Sequence, residues 1–365
     1  MRQEVDRFDP AVPIERALTP PASWYTEPRF FEHERATVFR RTWQPAGRLD
    51  QLQNPGDYVA GEFAGEPFVV VRDGEALRAF FNVCRHHASC IVEGEGNLER
   101  FVCPYHGWTY DLDGRLRKAP RLGGVEDFQR DRHGLLPMQV ATWGPLVCVR
   151  LDEEGPSLRE WMAPLDGRID CASLRFVAHV EYELACNWKV FVDNYLDGGY
   201  HVGHLHRGLA GQLDLDGYRT EIDGNISLQS CGAAREADGS QGVDFKERLD
   251  GGAVYAFVYP NFMINRYGPI MDTNWVVPFG HDRTLTVFDY FFEADRVDGD
   301  PEFVERSLEA SDRVQQEDIA ICERVQRGLR SSAFDSGRYA PGVEQAAHHF
   351  HRLLAHDLKR EPSGS

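Results

Sequence analysis

The chain has 365 residues, of which 42% are hydrophobic and 12% aromatic, and a formal net charge of −18. This length and apolar content predict a large buried core divided between two domains, while the negative charge argues against nucleic acid as the main partner. The longest apolar runs, such as Phe68 to Val71 and Val254 to Tyr259, are strand-length, short of the roughly 20 residues that cross a bilayer. The opening MRQEVDRFDPAVPIER mixes acids and bases without an apolar segment, so no secretory or transit signal is expected and the cytoplasm is the expected compartment. Eight cysteines in that setting fit reduced thiols and metal ligands better than a disulfide scaffold.

Residues 1–42 read as a helical arm, because helix-period apolar positions follow Pro28 in PRFFEHERATVF. From 43 to 152 the pattern changes to short strands, PGDYVAGEF, EPFVVVRDGEALRAFFNV, RFVCPYHGWTYDLDGRL and QVATWGPLVCVRLD, with RDGE and LDGR as Asp-Gly hairpin signals. Residues 153–175 resemble a linker with a short helix at LREWMAPL. Residues 176–365 mix strand-like runs at 176–186, 218–230, 253–266, 270–279 and 283–294 with helical stretches at 187–204, 301–329 and 341–358. The expected class is α+β: a small antiparallel β-domain, then a larger domain of antiparallel sheet and helices.

Two short loops concentrate metal-binding side chains. NVCRHHA holds Cys84 and His86 as C-x-H, and CPYHGW holds Cys103 and His106 as C-x-x-H. Cys₂His₂ is also a structural zinc set, but zinc-finger spacing pairs Cys with Cys and His with His. One sulfur and one nitrogen from each loop suit a Rieske [2Fe-2S] cluster, two cysteines holding one iron and two histidines the other. The second loop has Tyr105 where respiratory Rieske proteins carry a disulfide cysteine, so Cys90 has no mate and is expected to be a buried free thiol. His87 reads as a solvated loop residue.

The larger domain offers a second metal constellation. NWKVFVDNYLDGGYHVGHLHRGLA carries Asp193, Asp197, His201, His204 and His206, and a helical segment far downstream carries Asp318. Two histidines and a carboxylate are what a non-haem Fe(II) facial triad requires. Helical spacing alone pairs His201 with His204, whereas His201 with His206 needs a distorted turn, for instance at Gly203. The residues leave both pairings open.

The chain resembles the α-subunits of Rieske non-haem iron oxygenases, the choline monooxygenase-like group in particular. The resemblance runs through SWYTEP, NVCRHHAS, FVCPYHGWTYDLDG, NWKVFVDNYLDGGYHV, EDIAICERVQRGL and GRYAPGVEQAAHHFHRLL, nearly the whole chain. It implies His201, His206 and Asp318 as iron ligands and leaves His204 as a residue of the pocket or its support. It also implies a homotrimer in which a carboxylate passes electrons from the cluster of one subunit to the iron of the next. Ring-hydroxylating relatives commonly place that acid three residues before the first histidine, where this chain has Gly198; Asp197 is the candidate bridge and Asp193 the second candidate.

The activity implied is O₂-dependent hydroxylation, with choline giving betaine aldehyde as the leading expectation and an aromatic-ring hydroxylase or demethylase as the alternative. An electron-transfer protein without oxygenase activity would not need the second constellation. EGEGN and RLGGV lack the strand–turn–helix setting of a dinucleotide site, so NAD(P)H is expected to act through a separate reductase or ferredoxin. The basic run Arg115 to Arg121 could dock an acidic donor. A trimethylammonium group needs aromatic faces, and Tyr195, Tyr200, Tyr255, Tyr267, Trp275 and Phe288 are among the candidates. His348, His349 and His351 read as ordinary helix residues.

Overall fold

The computed structural model describes residues 1–206, 213–232, 248 and 252–361. It divides into two compact units, Phe39–Trp161 and a second made of Met1–Val38 with Met162–Ser365. The division at Trp161 falls inside the stretch expected as a linker, and the first 38 residues belong to the larger unit. Residues 207–210, the end of the histidine-rich stretch, lie outside the described residues. No helix among the described residues is long and apolar enough to cross a membrane.

The smaller unit is built from short antiparallel strands: β1 (Gln44–Arg48), β2 (Asp57–Phe63), β3 (Glu66–Asp73), β4 (Ala76–Phe81), β5 (Glu95–Asn97), β6 (Phe101–Val102), β7 (Thr109–Tyr110), β8 (Leu116–Lys118), β9 (Pro137–Trp143) and β10 (Leu146–Arg150). Seven of them form one sheet in the order β1-β10-β9-β4-β3-β2-β5, and β6-β7-β8 form a second. RDGE closes the β3–β4 hairpin, with Asp73 opposite Ala76 and Gly74 at φ +59°. LDGR turns β7 into β8. Between the sheets lies an apolar core of Val69, Val71, Phe80, Ile91, Phe101, Trp108, Tyr110, Leu116 and Leu135, which includes Cys84 and Cys103.

In the larger unit, α1 (Pro28–Thr37) comes from the N-terminal arm. It is followed by β11 (Leu174–Leu184), α2 (Trp188–Tyr195), α3 (Val202–Leu205), β12 (Arg219–Asp223), β13 (Ile226–Cys231), β14 (Ala253–Val258), β15 (Phe262–Tyr267), β16 (Ile270–Pro278), β17 (Thr284–Glu293), α4 (Pro301–Leu329) and α5 (Gln345–Leu358). The strands form one antiparallel sheet, β11-β17-β16-β15-β14-β13-β12. Two runs expected as single strands, 218–230 and 253–266, are each a hairpin, turned at Gly224 (φ +58°) and at Pro260, whose ring removes a ladder donor. The expected helix 187–204 is likewise two pieces, α2 and α3.

The arm is tied into this unit by buried charge. Lys189 on α2 and Glu34 on α1 are fully buried with Nζ 2.5 Å from Oε1, and Trp188 Nε1 donates to the same carboxylate at 2.8 Å. Burial pulls the Lys189 ammonium down while Glu34 opposes it. Removing one member of such a pair strands the other, typically at about 3–5 kcal/mol. The packing of α2 therefore depends on a segment more than 150 residues away in sequence.

Candidate metal centres and substrate cavity

The two cysteine loops share one backbone construction. In the first, Ala88 N donates to Cys84 O (3.0 Å) and Cys84 N to Ser89 O (2.9 Å); in the second, Gly107 N donates to Cys103 O (3.0 Å) and Cys103 N to Trp108 O (2.8 Å). Each loop closes through a residue in the left-handed region, Ala88 at φ +59° and Gly107 at φ +71°. The matching turns bury both sulfurs in the core, with Cys84 3% and Cys103 2% exposed, and bring His86 Nδ1 within 3.2 Å of His106 Nδ1. Trp108 stacks on His86 at 4.9 Å and 10°, and Tyr105 on His106 at 3.8 Å.

Two buried thiols beneath two paired imidazoles fit a cluster whose irons differ in ligand type. Further donors surround the set. Tyr110 Oη accepts from Arg85 N (3.0 Å) and shares a hydrogen bond with Cys84 Sγ at 3.3 Å, which it would donate to a thiolate, while the buried Trp108 indole N–H has no partner among the described residues. Burial first, and then Cys103, raise the Cys84 thiol, so displacing its proton is part of what binding a metal must achieve. Cys90 departs from expectation: it is an exposed free thiol, because its loop runs along the surface after the Ser89 turn. His87 is exposed, its ring 3.9 Å from His86.

In the larger unit, α2 is capped by Asn187, whose side chain accepts from Lys189 N at 3.1 Å, and ends just before Asp197. Gly198 and Gly199, at φ +72° and +74°, then reverse the chain. A Cβ on Gly198 would lie 2.2 Å from Val343 O, so an acid cannot stand there and the carboxylate sits at Asp197. The reversal places His201 before the single turn α3 and His206 after it. Asp318 arrives from α4, on the stripe that also carries the buried Gln315, Cys322 and Gln326.

The ligand atoms of His201, His206 and Asp318 all lie within 4.8 Å of one another, forming the one three-residue metal-type group found among the described residues. Asp318 Oδ1 is 3.1 Å from His206 Nε2 and 3.8 Å from His201 Nε2. The opposite ring nitrogens are held by carboxylates, His201 Nδ1 by Asp197 Oδ2 at 2.7 Å and His206 Nδ1 by Glu317 Oε2 at 2.6 Å. A carboxylate only accepts, so the contacts with Asp197 and Glu317 suit a proton on each Nδ1, and a metal held with Asp318 would then find each Nε2 free to coordinate it. Burial lowers the His206 pKa, but Asp318 and Glu317 outweigh it and the net shift is upward. Asn194 Nδ2 donates to Asp318 Oδ1 at 2.9 Å and orients the third ligand.

The remaining candidates separate clearly. His204 is exposed and is not among the residues that line the cavity, so it does not take the pocket place that was one of the two expected for it. Asp193 bonds to Tyr25 Oη (2.8 Å) and lies 2.9 Å from His351 Nε2. His351 also bonds to Tyr339 Oη at 2.7 Å, and His349 to Gly224 O at 2.8 Å. Glu317 and Asn194 were not anticipated; the adjacent Glu-Asp pair on a helix was the one available signal for Glu317.

A cavity of about 200 Å³ adjoins the three ligands. Of the aromatic candidates, Tyr195, Tyr255, Tyr267 and Phe288 line it, whereas Tyr200 is exposed and Trp275 lies outside the lining. Phe191 and Tyr218 complete the aromatic wall. The cavity also holds a buried carboxylate, Asp272, which burial raises and hydrogen bonds from Tyr267, Asn265 and Asn274 lower, the net shift being upward.

Residues 42–129 match the Rieske [2Fe-2S] domain and residues 171–359 the ring hydroxylating alpha subunit catalytic domain. The chain belongs to the Rieske non-haem iron oxygenases. It is 48% identical to a chloroplastic choline monooxygenase of Arabidopsis thaliana, over 97% of this chain and 86% of that protein. It is 32% identical to the carnitine monooxygenase oxygenase subunit of Escherichia coli K12, over 94% and 95%. A solved quaternary ammonium Rieske monooxygenase, described for carnitine oxidation and inter-subunit electron transfer, superposes with a TM-score of 0.83 at 27% identity, covering 96% of this chain and 97% of that one. This Rieske oxygenase is therefore an enzyme of two metal centres, an iron–sulfur cluster and a mononuclear iron, one in each unit.

Proposed function

We propose that this oxygenase hydroxylates a small quaternary ammonium compound, with choline, converted to betaine aldehyde, as the leading substrate. The observation that carries the reading is the triad of His201, His206 and Asp318 beside a cavity walled by tyrosines and a buried carboxylate. Aromatic faces suit a trimethylammonium group, which has no N–H to donate. The similarity to choline and carnitine monooxygenases supports the same class.

In this reading Cys84, Cys103, His86 and His106 hold the cluster, and His201, His206 and Asp318 hold the iron. When bound, the two centres supply single electrons and activate dioxygen, so that one oxygen atom enters a C–H bond and the other leaves as water with two electrons and two protons from outside. Because His201, His206 and Asp318 all line the cavity, an iron they held would be reachable from it, and Asp197 and Glu317 would fix the imidazole tautomers. The aromatic wall keeps bulk water away and orients the substrate. Hydroxylation at the carbinol carbon of choline gives an aldehyde hydrate, which loses water to betaine aldehyde.

Asp197 is the proposed inter-subunit electron bridge, with Asp193 the second candidate; its contact with His201 Nδ1 favours Asp197. The family pattern supports a homotrimer, a separate reductase or ferredoxin that draws on NAD(P)H, and docking of that donor near Arg115 and Arg117, which are exposed. Eight free thiols support a reducing compartment such as the cytoplasm.

The test is product analysis by mass spectrometry, from the protein reconstituted with iron, cluster and a reductase and offered choline, carnitine and a set of aromatic acids. Betaine aldehyde formed from choline in step with oxygen uptake is the expected result. Hydroxylation of the aromatic acids alone would overturn the reading.

A further inference from the structure

Asp272 stands on β16 in the cavity wall and is 4% exposed. Its Oδ2 accepts from Asn265 Nδ2 (2.7 Å) and Asn274 Nδ2 (2.8 Å), and its Oδ1 accepts from Tyr267 Oη (2.7 Å). Amide nitrogens can only donate, so these contacts complement an ionised carboxylate. A further phenol extends the network, since Tyr195 Oη donates to Asn265 Oδ1 at 2.8 Å and leaves the Asn265 amide directed at Asp272.

Asn265, Asn274, Tyr195 and Tyr267 line the same cavity as Asp272. Most of their polar hydrogens are committed to one another and to the anion, so this wall turns mainly aromatic faces and lone pairs toward a ligand. Arg248 approaches the network at its Tyr267 end, with Nη2 3.4 Å from Oη and its guanidinium 5.4 Å from the ring centroid, and it also donates to Ser311 Oγ at 3.2 Å. Arg248, which also lines the cavity, offsets part of the cost of burying the Asp272 charge, and a ligand cation would offset more.

We infer that Asp272 is the residue with which the cavity reads charge, the anion that makes it prefer a cation to a neutral molecule of the same shape. The inference rests on the quaternary ammonium reading above and adds a named determinant to it. Aromatic faces pack against a trimethylammonium group and against the tert-butyl group of its neutral isostere over the same surface. A carboxylate in a low-dielectric wall attracts the first and is indifferent to the second. Asp272 is thus a specificity residue; the iron ligands and the carboxylates that hold them are separate groups.

The experiment is calorimetric titration of the anaerobic, metal-loaded protein with choline and with 3,3-dimethylbutanol, for the native chain and for Asp272→Asn and Asp272→Glu. In Asp272→Asn, choline affinity is expected to fall by about tenfold or more while the isostere changes little, as the loss of one Coulombic partner in a low-dielectric wall implies. Asp272→Glu, which keeps the charge, should retain most of the preference. An unchanged preference in Asp272→Asn overturns the inference. Equal losses for both ligands in both variants also overturn it and mark Asp272 as structural. If Asp272→Asn does not fold, the Glu variant decides, since losing its preference for choline while still binding the isostere contradicts a role in reading charge. A native protein that binds neither ligand overturns the quaternary ammonium reading and this inference with it, whereas a native preference that survives in Asp272→Asn removes only the inference.

Discussion

The two metal centres are built in opposite ways. The cluster loops take all four donors from 23 consecutive residues, shape them with backbone hydrogen bonds repeated in both turns, and present the imidazoles at the surface. The proposed iron site takes its carboxylate from a helix 112 residues beyond His206 and orients each candidate ligand with a side chain, Asp197, Glu317 or Asn194. A backbone template tolerates changes around it because the main chain of nearly any residue can supply it. A side-chain template is weakened wherever one of its supports is removed. The electron-accepting centre is thus local and exposed, and the oxygen-activating centre is assembled from distant parts and enclosed.

Mutations should sort along that difference. The largest effect is expected from His206→Ala, which removes a proposed ligand that is 3% exposed and held on both sides by carboxylates. Iron content measured by plasma emission should fall to the cluster's share and turnover should vanish, with the visible spectrum of the cluster unchanged; loss of the cluster spectrum as well would show that the centres are not independent. Next comes Asp197→Asn. The amide keeps the side-chain shape but supplies one acceptor where the carboxylate supplies two to His201 and Tyr200. Both metals should remain, while stopped-flow absorbance should show a cluster that is reduced normally and then stays reduced in the presence of substrate and oxygen.

A smaller change is expected from Glu317→Gln, which no longer fixes the His206 tautomer: iron affinity measured by competition with a chelator should fall by about 10- to 100-fold. A value equal to wild type would mean that burial alone orients His206. The smallest is Tyr110→Phe, which deletes the hydroxyl facing Cys84 Sγ. The reduction potential should drop by some tens of millivolts, a tenfold change in a one-electron couple being about 59 mV. Redox titration followed by electron paramagnetic resonance would measure it, and an unmoved potential would deny that hydrogen bond a role.

The same contrast explains what the sequence revealed. Cys84, His86, Cys103 and His106 were legible because their chemistry lies in two short words. At the iron site, helical spacing favoured His204 over His206, since nothing local announces that Gly198 and Gly199 break the helix and reduce α3 to one turn. The family resemblance proposed His206 and Asp318, which the structure brings together with His201, but it could not propose Glu317, whose contact with His206 depends on the angle at which α4 meets the histidine turn. Hairpins at Gly224 and Pro260 were read as continuous strands because their turns interrupt each run by only two and three residues. Cys90 was expected to be buried from the habits of cysteine in general, and its surface loop overrides them.

A single-turnover experiment tests the central claim most directly. The protein is loaded with both metals, its cluster is reduced chemically, and it is mixed with oxygen in the presence of choline, carnitine or an aromatic acid, while cluster absorbance and product are followed together. The account predicts rapid cluster reoxidation with choline, in step with betaine aldehyde formation, and little of either with the aromatic acid. Reoxidation without a quaternary ammonium product, or reoxidation stimulated by the aromatic acid alone, would contradict it.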